Sequence, residues 1–115
     1  MARAKEVRLA NGRRWPRKGD ALKHFKEMLG KYRVGERVHD DSDHDDLANL
    51  LQIYDSVLPP EMEGKIGSGI AYFEKGVDFE YPGKTQCFFV VRRDGTRVDF
   101  SYIRAIECAA EANVT

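Results

Sequence analysis

Apolar residues recur along this chain in two periods, and those periods divide it into strands and helices. The run Cys87-Phe88-Phe89-Val90-Val91 is continuous, β-branched and aromatic, which is the composition of a central strand. Asp94-Gly95 follows, a dipeptide suited to the two positive-φ positions of a type I′ turn, so a second strand should fold straight back. A two-residue turn sets Arg93 opposite Thr96, Arg92 opposite Arg97, Val91 opposite Val98, Val90 opposite Asp99 and Phe89 opposite Phe100. Opposed residues share a side of the sheet. This register predicts an apolar face of Cys87, Phe89, Val91, Val98 and Phe100, and an outer face of Phe88, Val90, Arg92, Arg97 and Asp99. Ser101 is placed to cap a helix carrying Ile103 and Ile106 at i, i+3.

Upstream, Glu6 to Trp15 reads as a hairpin turning at Asn11-Gly12, with Ala10 opposite Arg13, Leu9 opposite Arg14 and Arg8 opposite Trp15. Pro16 ends its second arm because it cannot donate to a ladder. Asp20 is the expected cap of a helix whose apolar stripe is Leu22, Phe25, Met28, Leu29 and Tyr32. Ser42 with Asp45 resembles a capping box, opening a helix with Leu47, Leu50, Leu51 and Tyr54 on one face. Asp43, Asp45 and Asp46 then occupy its first turn, where the macrodipole favours negative charge. Pro59-Pro60 stops that helix, Gly67 and Gly69 lead into a strand at Ala71-Tyr72-Phe73, and a loop at Val77–Gly83 hands over to the central strand. The order is hairpin, helix, helix, strand, strand–turn–strand, helix. It predicts an α+β fold: a mainly antiparallel sheet built from hairpins, covered on one face by about three helices.

At 115 residues, with no internal repeat and no linker, residues 1–115 read as one domain. No window approaches a membrane span and nothing resembles a signal peptide, so no membrane partner is expected. Two cysteines are too few for a disulfide scaffold, which points to a reducing, cytoplasmic setting. A formal net charge of zero hides a strong segregation. Residues 1–37 hold twelve lysines and arginines against four acids, whereas 38–63 hold eight acids and no lysine or arginine. Local fields, not the whole-chain pI, therefore decide association.

The stretches KIGSGIAYF (65–73) and CFFVVRRDGTRVDFSY (87–102), taken together, resemble the DCL-like domain, named for the plant phenotype "defective chloroplasts and leaves". The upstream helix and the acidic helix with Leu50-Leu51 are similar too, so the likeness spans most of the chain. Gln86 stands where the family pattern has Arg, and Arg104-Ala105 where it has Lys-Cys. The resemblance implies a small stand-alone member of bacterial type and a connection to RNA, because plant members are linked to plastid ribosomal RNA processing and to a plant-specific RNA polymerase. It implies no catalytic residues.

The residues themselves offer one main candidate surface. Arg8, Arg13, Arg14, Arg17 and Lys18 surround Trp15, and Lys84, Phe88, Arg92 and Arg97 add cations and a ring from the second hairpin. Cations that track phosphates beside rings that stack on bases are what single-stranded nucleic acid binding requires. The plainer alternative puts Trp15 in the core and leaves the arginines as a solvated face, with Arg92 and Arg97 flanking Asp99 in surface ion pairs. The acidic segment His39–Asp46 fails as a calcium loop, since Asp46 replaces the sixth-position Gly and Gln52 the twelfth-position Glu. It also lacks two histidines spaced for one helical face. A solvated, helix-capping turn is the simpler reading, and folding back onto the basic segment is the other. Gly67-Ser68-Gly69 has no phosphate-loop fingerprint around it, and neither His24 nor His39 is spaced to serve Ser101 as a base. The expectation is a non-catalytic domain binding RNA or single-stranded nucleic acid, without cofactor or metal. A protein-docking module is the second reading, and a metal-dependent nuclease using His39–Asp46 the third.

Overall fold

Helix α3 (Tyr102–Ala112) is the piece against which the other layers pack: α1 (Lys18–Lys31), α2 (Asp41–Ser56) and strand β1 (Val7–Arg8) all lie against it. Its buried row is Ala105, Ile106, Ala109 and Ala110, small enough for two helices to approach closely. Tyr102 begins that row one turn earlier, its ring near those of Phe25 and Phe88. The row leaves Ile103 outside, 48% exposed, instead of pairing it with Ile106 in the core. The computed structural model describes residues 6–58, 64–78 and 85–112, so Pro59-Pro60, Lys84 and most of the expected Val77–Gly83 loop lie outside the described residues.

The main sheet is antiparallel in the order β3 (Ile70–Asp78), β4 (Thr85–Arg92), β5 (Arg97–Phe100). Beyond β3 the segment 35–38 runs as a short extra rung. Gly35 N–H donates to the Lys75 carbonyl (2.7 Å), Lys75 N–H to Glu36 (3.0 Å) and Val38 N–H to Phe73 (2.8 Å). One sheet face, with Phe73, Phe88, Val90, Val98 and Phe100, joins the helices in a single core that includes Phe25, Leu47, Leu50, Leu51 and Ile106. Lys75 reaches into that layer, and its ammonium donates to the Tyr32 carbonyl (2.9 Å) at the C-terminus of α1, where the helix dipole favours a cation. The architecture is α+β, with three helices and antiparallel strands as expected. However, β1 and β2 (Arg14–Trp15) form their own two-stranded sheet on the helical side and do not join the main one.

Both hairpins depart from the expected register by one residue, for the same reason. In the second, Arg92 N–H donates to the Thr96 carbonyl (2.8 Å) and Gly95 N–H to that of Arg92 (3.0 Å), so Arg93-Asp94-Gly95 form a three-residue loop. In the first, Leu9 N–H donates to Arg13 (2.9 Å) and Gly12 N–H to Leu9 (3.1 Å), so Ala10-Asn11-Gly12 form the loop. Gly12 (φ 92°) and Gly95 (φ 89°) each take the left-handed position that closes such a loop as a glycine bulge. Asn11 Oδ1 accepts from Arg13 N–H and Asp94 Oδ1 from Thr96 N–H, both at 3.0 Å, so the side chains lock the longer loop. The pairs are therefore Val7–Trp15 and Arg8–Arg14 in one hairpin, and Phe88–Phe100, Phe89–Asp99, Val90–Val98 and Val91–Arg97 in the other. The slip turns over the faces of β4, while Val98 and Phe100 of β5 keep the expected side.

Helix caps differ too. Arg17, in extended conformation, starts α1 without a side-chain cap, and Asp20 sits in the first turn. Asp40 caps α2 by accepting from Asp43 N–H (3.0 Å), which leaves Ser42 inside the helix. Ser101 performs as expected: its Oγ accepts from Arg104 N–H (3.3 Å). Among the described residues no helix is long and apolar enough to cross a membrane.

Candidate functional site

The basic hairpin meets the acidic helix directly. Asp46, 1% exposed, is held by Arg13 (Nε 3.0 Å), by the Asn11 amide (3.0 Å) and by His24 Nε2 (3.1 Å). Arg13 also donates to Ser42 Oγ (3.2 Å), and Asn11 to Asp45 (2.8 Å). Both readings of the acidic segment are met, since Asp40 caps α2 while Asp46 folds back onto basic residues. Arg8 and Arg14 both pair with Glu6, Arg14 at 3.8 Å. Trp15 faces inward beside Val7, half-buried against His24 (ring centroids 5.0 Å apart) and Phe25 (5.7 Å). Arg17 is exposed and Lys18 half-buried at the start of α1. The first hairpin is thus charge-compensated, with its one large ring turned to the core.

Asp43 and Asp40 of the acidic segment are engaged structurally too. Asp43 accepts from Tyr32 Oη (2.7 Å) and pairs with Lys31 (2.5 Å). Burial, aided by that hydrogen bond, holds the Tyr32 phenol well above its usual range, and the bond to Asp43 raises Lys31. Asp40 is lowered, chiefly by the Asp43 N–H that it caps. No group of three His, Cys, Asp or Glu among the described residues is close enough to hold a metal.

The second candidate surface lies on the outer face of the main sheet. Phe88, expected there, is fully buried opposite Phe100. Arg92 is half-buried and turns to the loop before β3, with Nε donating to the Lys65 carbonyl (2.8 Å) and Nη1 to Thr96 (3.3 Å). Phe89 and Tyr72 take the outward positions instead. The register aligns Arg37, Glu74, Phe89 and Asp99 in one cross-strand row, and Tyr72, Val91 and Arg97 in the next. Each outward ring carries a guanidinium: Arg37 Cζ lies 3.7 Å from the Tyr72 centroid and Arg97 Cζ 3.7 Å from that of Phe89. Arg97 crosses the central strand to reach Glu74, Nε to Oε1 2.5 Å, and does not pair with Asp99. The Phe89 ring lies against Gly76, where a Cβ would stand 2.5 Å from it. Arg37, Tyr72, Glu74 and Phe89 are the residues that sequence reasoning missed. The alternation Tyr72, Glu74, Gly76 along β3 was a signal for two of them, whereas Phe89 is legible only once the loop length is known and Arg37 only through its bridge to Glu74.

The glycine loop before β3 is structural. Asp55 accepts from the Lys65 and Ile66 N–H groups (both 2.9 Å), and Ser68 Oγ accepts from Asp94 N–H (3.2 Å). The Arg92 and Arg93 side chains lie across Gly67 and Gly69, where added Cβ atoms would come within 2.9 and 3.0 Å. His39 lies 3.5 Å from Glu36, and His24 serves Asp46, so neither faces Ser101.

The geometry defines an α+β domain whose sheet has one face in the core and the other dressed with stacked arginines. The family model described as "Protein of unknown function (DUF3223)" matches residues 26–106. The chain is similar to Protein DCL, chloroplastic, of Solanum lycopersicum, 40% identical over 80 residues that are 68% of this chain and 32% of that protein. It is likewise similar to Protein DCL homolog, chloroplastic, of Arabidopsis thaliana, 39% identical over 80 residues (68% and 33%). The solution NMR structure of an uncharacterized protein from Rhodospirillum rubrum shares the fold at TM-score 0.71 and 36% identity, covering 91% of each chain. This chain belongs to the DCL-like family. It matches about a third of the length of the curated plant relatives.

Proposed function

We propose that this domain binds RNA or another single-stranded nucleic acid on the outer face of its main sheet, without catalysis. The observation that carries the reading is the pair of ring–guanidinium stacks, Arg37 on Tyr72 and Arg97 on Phe89, side by side on one face. A guanidinium lying flat on a ring presents its second plane to a base and its N–H edge to a phosphate. Such planes suit bases already out of a duplex stack, which selects single strands over double. All four residues fall within the segment matched by the family model, whereas the first hairpin precedes it. Arg13 is therefore assigned to the contact with α2, while Arg17 and Lys18 add only diffuse attraction. The setting we propose is a reducing one such as the cytoplasm, in RNA processing or transcription, in line with the family resemblance.

The test is titration of labelled single-stranded RNA, with duplex DNA alongside, at two salt concentrations. Single-stranded RNA should bind more tightly than the duplex and weaken steeply with salt. Tyr72→Leu should lower affinity about tenfold or more, the size of one base–aromatic stack. Arg13→Ala with Arg14→Ala should change it much less. Absence of binding at low salt would exclude this reading and leave protein docking as the one to pursue by pull-down.

A further inference from the structure

The two stacks on the outer face are not equivalent. Among the described residues no carboxylate lies within ion-pair distance of Arg37, so only Tyr72 holds its guanidinium. Arg97 is tied at both ends of its reach, to the Phe89 ring at 3.7 Å and to Glu74 at 2.5 Å. Glu74 is the more enclosed partner, its side chain 19% exposed against 45% for Arg97. Gly76 leaves room for this stack: an added Cβ there would stand 2.5 Å from the Phe89 ring and 2.6 Å from the Arg97 guanidinium that rests on it.

We propose that Glu74 is a latch that keeps Arg97 closed over Phe89, so that the outer face has one open stacking position, at Tyr72, and one masked position, at Phe89. This rests on the nucleic-acid reading above. A strand that docks first on Arg37 and Tyr72 brings its next phosphate toward Arg97. Phosphate and carboxylate then compete for the same guanidinium, and both accept its planar fork well. When Arg97 turns to the phosphate, the Phe89 ring is uncovered for the adjacent base, and Glu74 is left to water. The latch sets a threshold: a lone anion gains too little to open it, whereas a strand delivering phosphate and base together gains both contacts. Ligands shorter than two nucleotides should therefore bind only at Tyr72.

The experiment compares Glu74→Gln with Asp99→Asn, which removes the same charge from the same face without touching Arg97. The probe is a short single-stranded RNA carrying 2-aminopurine, whose fluorescence is quenched on stacking. Glu74→Gln should bind about fivefold more tightly than wild type and quench more deeply, the gain expected from freeing a partly exposed ion pair. Asp99→Asn should change both by less than about twofold. Phe89→Leu should abolish the extra quenching of Glu74→Gln. Equal effects of the two charge removals would overturn the latch while leaving the binding reading intact, because Glu74 would then act only through its charge. Loss of affinity in Glu74→Gln would overturn it as well. If none of the proteins binds the probe at low salt, the binding reading itself fails and the latch with it.

Discussion

Phe88 stands directly across from Phe100 in the β4–β5 ladder, and both rings are fully buried. That pairing decides the direction of every side chain in the hairpin. It makes Phe89 the outward neighbour, beneath Arg97. Truncating each ring tests it. Phe88→Ala should cost about 3–5 kcal/mol, as for other large core rings. Phe89→Ala should cost about 1–2 kcal/mol, since that ring is only partly removed from water. Urea unfolding of both variants separates the two faces, and equal costs would contradict the register.

Gly76 is needed for the space it leaves empty. A methyl group there would meet the Phe89 ring at 2.5 Å and the Arg97 guanidinium at 2.6 Å. Gly76→Ala should destabilise by about 1–3 kcal/mol, the usual range for forced overpacking. The ring resonances of Phe89 should shift in NMR spectra while those of Phe88 stay in place. A shift confined to the core rings would show that the strand had moved instead.

Asp46 joins the first hairpin, α1 and α2 through three partners. Asp46→Ala strands those partners and should lower stability by about 1–3 kcal/mol in urea unfolding. Asp45 is exposed and serves Asn11 and Asn49, so Asp45→Ala should be close to neutral. If the two variants behave alike, the hairpin is not anchored through Asp46.

Alkaline titration tests the Tyr32–Asp43 contact. Tyr32 and Tyr102 are both raised above the ordinary 10.0, chiefly by burial. A phenol raised in the fold adds stability that is fully present below pH 10 and is lost as pH rises through its folded value. Lys31 is raised as well, so its contribution is lost in the same direction. Tyr32 and Tyr102 should ionise late, together with unfolding, in absorbance near 295 nm. Tyr32→Phe should remove part of that late step. An unchanged late step would mean that another phenol carries it.

Element types, their order and the α+β class were legible from period and composition, because long runs such as Leu47-Leu50-Leu51 admit one reading. The faces of the hairpins were not. Asn11-Gly12 and Asp94-Gly95 satisfy a two-residue turn and a three-residue loop equally well, and only the hydrogen bonds of Leu9 and Arg92 choose between them. The slip moved Phe88 inward and Phe89 outward, so the ring under Arg97 lay one position from where the pattern put it, while Arg97 kept the expected side. Caps were ambiguous in a similar way. A run with Asp40, Asp41, Ser42 and Asp43 offers several competent acceptors, and packing of the Leu47 row selected Asp40. Trp15 in the core was one of two readings left open, and the burial of Asp46 was illegible, because both depend on contacts between segments distant in sequence.

The arginines lying across Gly67 and Gly69 have a consequence for how the chain can change over generations. The two motifs that flag the family, KIGSG and RRDG, are a single mechanical part split between two places in the sequence. A side chain at Gly67 would have to push the Arg92 side chain aside, since an added Cβ would stand 2.9 Å from it. Gly67 at φ 52° and Gly69 at φ 119° add a backbone restriction that no change in the arginines relieves. Drift should therefore be asymmetric: the arginines can be lost while the glycines stay, but the glycines should rarely be lost first.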